Sequence, residues 1–375
     1  MMHASLHVIE EGKRRLGAGG GQVEVNEVLR FIEECMVASG ASKPNAASLA
    51  RVLVAADTRG HYSHGLQRLD LYVCEVKVNR SCDGVVKPIL VKETDCTALV
   101  DGCNGLGPVV SEYSMKLAIT KAKKSGIGWV VARGSNHYGI AGYYSMKAVE
   151  EGLLGMSFTN ACSGVAATRG KKGVVGTNPI SVAAPGKGDD SFVLDMATSV
   201  VASGKVEVAE MKEESIPIGW GVDKNGEDTS SPWEVLHNEG WLLPLGGSEL
   251  LSGYKGFGLG MMVEVFCGIL SGGHYGQNIR DWRKSDREAD LSHCFVAIDP
   301  QVFAPGFKDR MSSLMEQCRN LELVDEGKPV LTAGDPERQH MSLAESQGGI
   351  TYHINQIKQS WQLAQYLGVT PMTSV

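Results

Sequence analysis

The stretch from Ile127 to Val149 constrains this chain more than any other. Ile127-Gly-Trp-Val-Val-Ala132 is a short apolar run with β-branched residues, the pattern of a buried strand. Ile140 to Val149 is helical in character. Between them lies Arg133-Gly-Ser-Asn-His-Tyr-Gly139, with glycines on both sides of the histidine. The segment therefore reads strand, turn, helix, a unit that belongs to a layered α/β architecture. It also sets one imidazole, His137, at a strand-to-helix junction, where groups in such folds face a ligand crevice.

The flanking sequence changes character twice. Residues 1–22 read as a disordered extension: polar, with Lys13-Arg14-Arg15 and the glycines of 17–21, and with Glu10-Glu11 arguing against a transit peptide. Val25, Val28, Leu29, Ile32 and Met36 predict a helix closed by Gly40. Pro44 predicts the start of a second helix, which runs to about Asp57. A third amphipathic stretch carries Leu69, Tyr72, Val73 and Val76. Residues 23–95 thus form a mainly helical lobe, expected to be joined by C-terminal residues 300–375, which carry helices near 306–321 and 353–367. Residues 96–299 read as a mixed α/β region. Its strands are 98–101, 127–132, 153–158, a strand-turn-strand within 174–185, 192–195 and 293–298; its helices are 111–125, 140–151 and 256–270. Residues 276–292 are charged and expected to be exposed.

Several function classes are excluded. A formal net charge of −7 and the lack of a dense Lys/Arg cluster argue against nucleic acid. No apolar run approaches the ~18 residues that span a bilayer. Nine cysteines without a C-x-x-C pair fit a reducing, cytoplasmic setting better than a disulfide framework or a zinc site. No G-x-G-x-x-G and no P-loop occur, so any dinucleotide site is built in a non-Rossmann way.

Each candidate residue carries two readings. His137 is either a partly buried histidine bonded to a carbonyl or a proton-transfer group, suited by a pKa near neutrality. His64 and Arg68 are four apart and share a face if helical. Arg68 offers a fork that matches a carboxylate, or simply pairs with Asp70 or Glu75. His61 and His64 lack a local third ligand, so no metal is expected. Asp195 closes an apolar strand; it either caps a helix from Ser199 onward or orients an imidazole. Lys255 sits among Gly253, Gly256 and Gly258 at a helix start, either as a solvated loop lysine or in an anion site.

Six segments, in order, carry a resemblance: Asp57-Thr-Arg-Gly-His-Tyr-Ser-His-Gly-Leu-Gln-Arg68, Ser135-Asn-His-Tyr-Gly139, Gly176-Thr-Asn-Pro179, Asp195-Met-Ala-Thr-Ser199 with Gly204-Lys-Val206, Ile216-Pro-Ile-Gly-Trp-Gly-Val-Asp-Lys-Asn-Gly226, and Tyr254-Lys-Gly-Phe-Gly-Leu259. Together they resemble the non-Rossmann malate/L-lactate dehydrogenase family, which includes ureidoglycolate and L-sulfolactate dehydrogenases and cyclic-imine carboxylate reductases. The resemblance spans roughly residues 25–370 and implies a mixed α/β, NAD(P)-binding fold that acts as a homodimer. The implied reaction interconverts 2-hydroxy and 2-keto acids of the malate/oxaloacetate or lactate/pyruvate type. The cofactor is NAD, with NADP as the other candidate. It places His137 as acid/base and Asp195 beside it. Arg68, Tyr72 and His64 fall on the substrate side; Ala161, Asp195, Met196, Ala197, Lys255 and Gly334 fall on the cofactor side. Ala161 and Cys162 stand where some relatives carry Ser and Asp, and Thr332-Ala-Gly-Asp335 replaces a Pro-Gly turn. The alternatives are a cyclic-imine carboxylate reductase and a catalytically silent binding protein on the same scaffold.

Overall fold

In the computed structural model, which describes residues 21–281, 284 and 287–373, a short strand β1 (Gly21–Val23) precedes helices α1 (Val25–Ala38) and α2 (Lys43–Thr58). Val28, Phe31, Ile32, Cys35 and Met36 fall on the buried face of α1, as their spacing requires. Gly40 follows at φ +109°, a conformation that a side chain would strain. Pro44 lies in the first turn of α2, where its missing N–H is no loss. Two tight turns, Tyr62–His64 and Leu66–Arg68, lead into α3 (Leu69–Val73), which widens into a π turn at Cys74–Val78.

The α/β region follows as β2 (Ile89–Glu93), β3 (Thr97–Asp101), α4 (Gly107–Ser125), β4 (Ile127–Ser135), α5 (Ala141–Glu150) and β5 (Leu154–Thr159). Two short strands, β6 (Val165–Ala166) and β7 (Gly173–Val175), come before the hairpin β8 (Ile180–Pro185) and β9 (Ser191–Met196). An excursion then runs through α6 (Ser203–Met211), β10 (Gly221–Val222), β11 (Asp228–Thr229), α7 (Pro232–His237) and β12 (Trp241–Leu242). Helix α8 (Gly253–Glu264) extends as a π turn over Val265–Ile269 and is followed by β13 (Leu291–Ile298). The remaining elements are α9 (Phe307–Arg319), α10 (Asp335–Gln347), β14 (Ile350–Tyr352) and α11 (Ile354–Leu367).

Seven strands form the main sheet in the order β2-β3-β4-β13-β5-β8-β9. Only β3 and β4 run parallel; the other neighbours are antiparallel. That pattern is foreign to a doubly wound parallel sheet and agrees with the missing phosphate-loop glycines. Helices α4 and α5 cover one face, with Met115, Ala118, Tyr144 and Ala148 packed on Val130, Ala132 and Phe295. Helix α8 covers the other, with Val263 and Cys267 on Val131, Phe158, Cys294 and Val296. Gly128 permits the close approach of α4: a Cβ there would lie 2.0 Å from the Ala118 carbonyl oxygen. A second sheet, in the order β11-β10-β12-β6-β7, joins the strands of the excursion to β6 and β7.

Three expectations need correction. Gly21 and Gln22 do not belong to an extension; they pair with Tyr352 and Thr351, and the rest of the expected extension lies outside the described residues. The C-terminal stretch divides its allegiance. Ile350, Tyr352, Ile357, Trp361 and Ala364 complete the core of the helical lobe, whereas α9 leans on β8 and β9. Residues 276–292 are not simply exposed, since Ile279, Arg280, Ala289 and Ser292 are buried. Arg280 reaches Glu75 in the π turn after α3 and the Ser81 hydroxyl, joining the α/β region to the helical lobe through a buried ion pair. One further contact shapes the tight turns. The buried Asp57 carboxylate accepts the Tyr352 hydroxyl at 2.6 Å and the Leu66 amide at 2.9 Å. Burial pushes Asp57 up to about 7, against both hydrogen bonds.

Removing one member of a buried pair leaves a charge without a counter-charge. Glu75→Ala should therefore destabilise the protein by about 3–5 kcal/mol. Urea unfolding monitored by circular dichroism measures this, and a midpoint equal to that of the wild type would show that the pair is inert.

Candidate active site

Strand β4 ends at Ser135, and the chain turns sharply through Asn136 to Gly139 before α5 begins. Asn136 is buried and donates to the carbonyl oxygens of Asn104, at 3.2 Å, and Gly105, at 2.9 Å; Gly139 takes φ +81°. These contacts fix the turn that carries His137. Its Nδ1 lies 2.6 Å from the Tyr72 hydroxyl. Its ring stacks on His64, centroids 5.7 Å apart and planes at 27°. The Ser63 hydroxyl meets Nδ1 of His64 at 2.9 Å, and Arg68 Nε donates to the Ser63 carbonyl at 2.7 Å. His64, Arg68, Tyr72 and His137 thus form one cluster, although the helical lobe supplies three and the α/β region the fourth. His64 and Arg68 do not share a helix face; they sit on separate tight turns on either side of Gly65.

The cluster is electrostatically lopsided. Burial, followed by the positive charge of Arg68, holds His137 far below the ordinary imidazole value, at about 3. His64 is depressed in the same way by burial and by His137 and Arg68. A pKa near neutrality, the expectation from residue type, is not what this environment gives, because no carboxylate touches either ring. Tyr72 is buried and raised well above its usual range, so it keeps its proton.

Asp195 is placed differently from either sequence reading. It pairs with Ser181 inside the β8–β9 hairpin, and the following helix starts only at Ser203. Its Oδ2 accepts the Gly142 amide at 2.7 Å, in the first turn of α5, where a carboxylate suits the helix dipole. The contact to the His137 ring belongs to Tyr72 instead. Burial raises Asp195, opposed by that amide and by the charges of His61 and Arg59.

The cofactor-side candidates gather around the ends of β5 and β9. Met196 pairs with Ile180, and Ala197 follows at the end of β9. The Ala161 amide donates to Asn178 Oδ1 at 2.9 Å; Asn178 also donates to Glu264 at 2.9 Å and to the Gly260 carbonyl on α8 at 3.0 Å. Gly334, at φ +101°, precedes α10 beside Val193 of β9, with an added Cβ lying 3.2 Å from the Val193 Cβ. Lys255 stands exposed in the first turn of α8.

Sequence reasoning gave no role to several contributors. Ser63 links His64 to Arg68. Glu207, on α6, reaches Arg68 Nη2 at 3.3 Å. Asn160 and Asn178 hold Glu264 between them. His293 is buried behind the turn, its nitrogens at 2.7 Å from the hydroxyls of Thr159 and Ser135 and its ring stacked on Tyr138 at 4.7 Å. The Asn-Pro turn at 178 was a signal for one of them. The rest lie on elements that no periodicity revealed or in strands that read as purely apolar.

Comparison with known proteins agrees with this geometry. The sequence model of the malate/L-lactate dehydrogenase family matches residues 23–359. Malate dehydrogenase of Pyrococcus horikoshii is 44% identical over 310 residues, which are 80% of this chain and 82% of that protein. L-sulfolactate dehydrogenase of Methanocaldococcus jannaschii is 36% identical over 317 residues, 83% of this chain and 88% of that one. The crystal structure of malate dehydrogenase from Entamoeba histolytica superposes with a TM-score of 0.89 at 32% identity, covering 93% of this chain and 99% of that one. The fold and the relatives are those of a dehydrogenase of 2-hydroxy acids. More narrowly, the chain belongs to the malate/L-lactate dehydrogenase family.

The depressed His137 fixes a pH dependence. Its proton-free form persists well below the unperturbed value of about 6.5. In kcat/KM, which reports the free enzyme, oxidation of a 2-hydroxy acid should stay level as pH falls through 6.5, and reduction should keep rising across the same range. A steady-state profile with an inflection at about pH 6.5 would show that the ring is not held this way.

Proposed function

We propose that the protein interconverts malate and oxaloacetate, with lactate/pyruvate-type substrates as the nearest alternative, using NAD, or NADP in its place. The carrying observation is the cluster of Arg68, His64, Tyr72 and His137, in a chain 44% identical to a malate dehydrogenase. Arg68 holds the substrate carboxylate through its planar fork. His137 takes the hydroxyl proton in oxidation and returns it in reduction. For that, Nε2 must carry the lone pair and Nδ1 the proton. In that tautomer the Tyr72 hydroxyl would accept from Nδ1 with its own O–H turned to the His137 carbonyl oxygen, 3.4 Å away, and the Gly139 amide, 3.4 Å from Nδ1, would give up the acceptor it has in the free protein. When bound, the nicotinamide exchanges the hydride with the substrate carbon.

The residues present suit such a cofactor. Lysine in the first turn of a 12-residue helix opposes the helix dipole unless an anion is also there. Lys255 and the first-turn amides of α8 would hold a phosphate. Asp195, Met196, Ala197, Ala161 and Gly334 would line the remainder, where backbone without bulk lets a flat ring approach. No helix among the described residues is long and apolar enough to cross a membrane, and no disulfide joins the described cysteines; the reducing cytoplasm is the compartment this reading takes.

The reading is tested by NADH and NADPH oxidation with oxaloacetate, pyruvate and a cyclic-imine carboxylate. Oxaloacetate should give the highest kcat/KM. Turnover of the imine alone would replace this reading with an imine reductase, and no turnover of any would indicate a silent binding protein. In the same assay, His137→Ala should cost about 10²–10⁴-fold in kcat. Lys255→Ala should weaken cofactor binding most at low salt.

We infer further that the working form is a homodimer. Tyr254, Met261, Val265 and Ile269 are 53%, 50%, 48% and 54% exposed and follow one side of α8 and its π turn. Such a stripe on a soluble chain suits a second copy about a two-fold axis. Light scattering should show twice the 40.1 kDa chain mass, and Val265→Arg should halve it; a wild-type monomer would end the inference.

A further inference from the structure

Helix α6 crosses directly over the turns that carry Ser63 and Arg68. At Gly204, in its first turn, a Cβ would lie 3.0 Å from the Ser63 Cβ and 3.7 Å from Arg68 Nη2. A side chain there would push Ser63 aside by a few tenths of an ångström. One turn on, Glu207 Oε2 lies 3.3 Å from Arg68 Nη2. Both side chains are largely enclosed, 22% and 17% exposed, so the charge of Glu207 is poorly screened. Around Arg68 the two imidazoles are held neutral. The Arg68 guanidinium and the Glu207 carboxylate are thus two formal charges that meet there.

We propose that Glu207 is a specificity-determining residue that limits how strongly the substrate site favours a second anionic group. The inference rests on the reading of Arg68 as the carboxylate holder. A 2-keto acid with an uncharged side chain brings one negative charge to Arg68. A substrate with a second carboxylate or a sulfonate brings two, and the second must lie in the field of Glu207. At separations of about 6–8 Å and an effective dielectric of about 40, that repulsion corresponds to roughly a tenfold change in an equilibrium constant. Glu207 also draws on the Arg68 charge for every substrate, but this common effect cancels in the ratio between the two classes.

The test uses the full-length protein with oxaloacetate and pyruvate as probes. Glu207→Gln keeps the shape and an acceptor oxygen for Arg68 and removes only the charge. The ratio of kcat/KM for oxaloacetate to that for pyruvate should rise roughly tenfold. Glu207→Asp, which keeps the charge but withdraws it by one methylene, should leave the ratio close to that of the wild type. A role confined to bracing Arg68 would change both substrates together, and an unchanged ratio in Glu207→Gln overturns the proposal. Should that variant not fold, Glu207→Ala is read in its place: a ratio equal to that of the wild type overturns the proposal equally. Arg68→Lys separates this failure from a failure of the functional reading. If Arg68→Lys lowers kcat/KM for both acids while Glu207→Gln leaves the ratio fixed, Arg68 still holds the carboxylate and only the role of Glu207 is wrong.

Discussion

The catalytic half of this molecule depends on one hydrogen bond that crosses from the helical lobe to the α/β region, between the Tyr72 hydroxyl and Nδ1 of His137. Tyr72 is held in the core with Phe31, Leu49, Leu53 and Tyr352, so its position is set by packing rather than by the site. His137 is fixed independently by the strand end, the buried Asn136 and the tight turn at Gly139. Two separately built bodies meet at one proton position. The result is an imidazole whose Nδ1 is held by a neutral phenol, a partner that supplies no counter-charge. That distinguishes it from an imidazole oriented by a carboxylate, in which the cation is stabilised from behind.

The absence of a negative partner at His137 has a physical logic. Among the described residues the carboxylate at this cluster is Glu207, and it meets Arg68 rather than the imidazole, so on the proposed reading it competes with an acidic substrate for the guanidinium. On the proposed reading, a substrate anion bound beside the neutral His137 ring would favour the protonated form that reduction requires. Asp195 is spent elsewhere: through the Gly142 amide it ties the α5 terminus to the last strand of the sheet, and so fixes the wall beside the reacting centre.

Much of the frame was legible because its elements have a strong period. Helices α1 and α2, the strand before His137 and the helix after it follow from apolar spacing, and a glycine or proline marks their ends. The His64–Arg68–Tyr72–His137 cluster was also legible, but through resemblance; spacing alone suggested a shared helix face where tight turns occur. What stayed hidden has two causes. Helices α6 and α10 are short or polar, with few buried residues, so no stripe announces them; Glu207 was lost with the first. The ionisation of His137 is a property of its surroundings, and these come from segments tens to more than a hundred residues away. Arg280 was misjudged for a similar reason, since a basic residue in a charged run reads as solvated until its buried partner is known.

Strand β14 gives the substrate turns an unusual dependence on chain order. Its Tyr352 hydroxyl holds Asp57, which holds the Leu66 amide between His64 and Arg68, and its backbone pairs with β1. The loop that grips the substrate is thus completed by a segment made almost three hundred residues after it. A ribosome that has released the main sheet would have delivered a chain with its reaction turn in place and its substrate loop still open. Such contacts of long sequence separation close late. On the proposed reading, competence to hold the substrate would therefore arrive with the final strand and helix, and a chain stopped short of them would carry a finished cofactor wall and no grip on its acid.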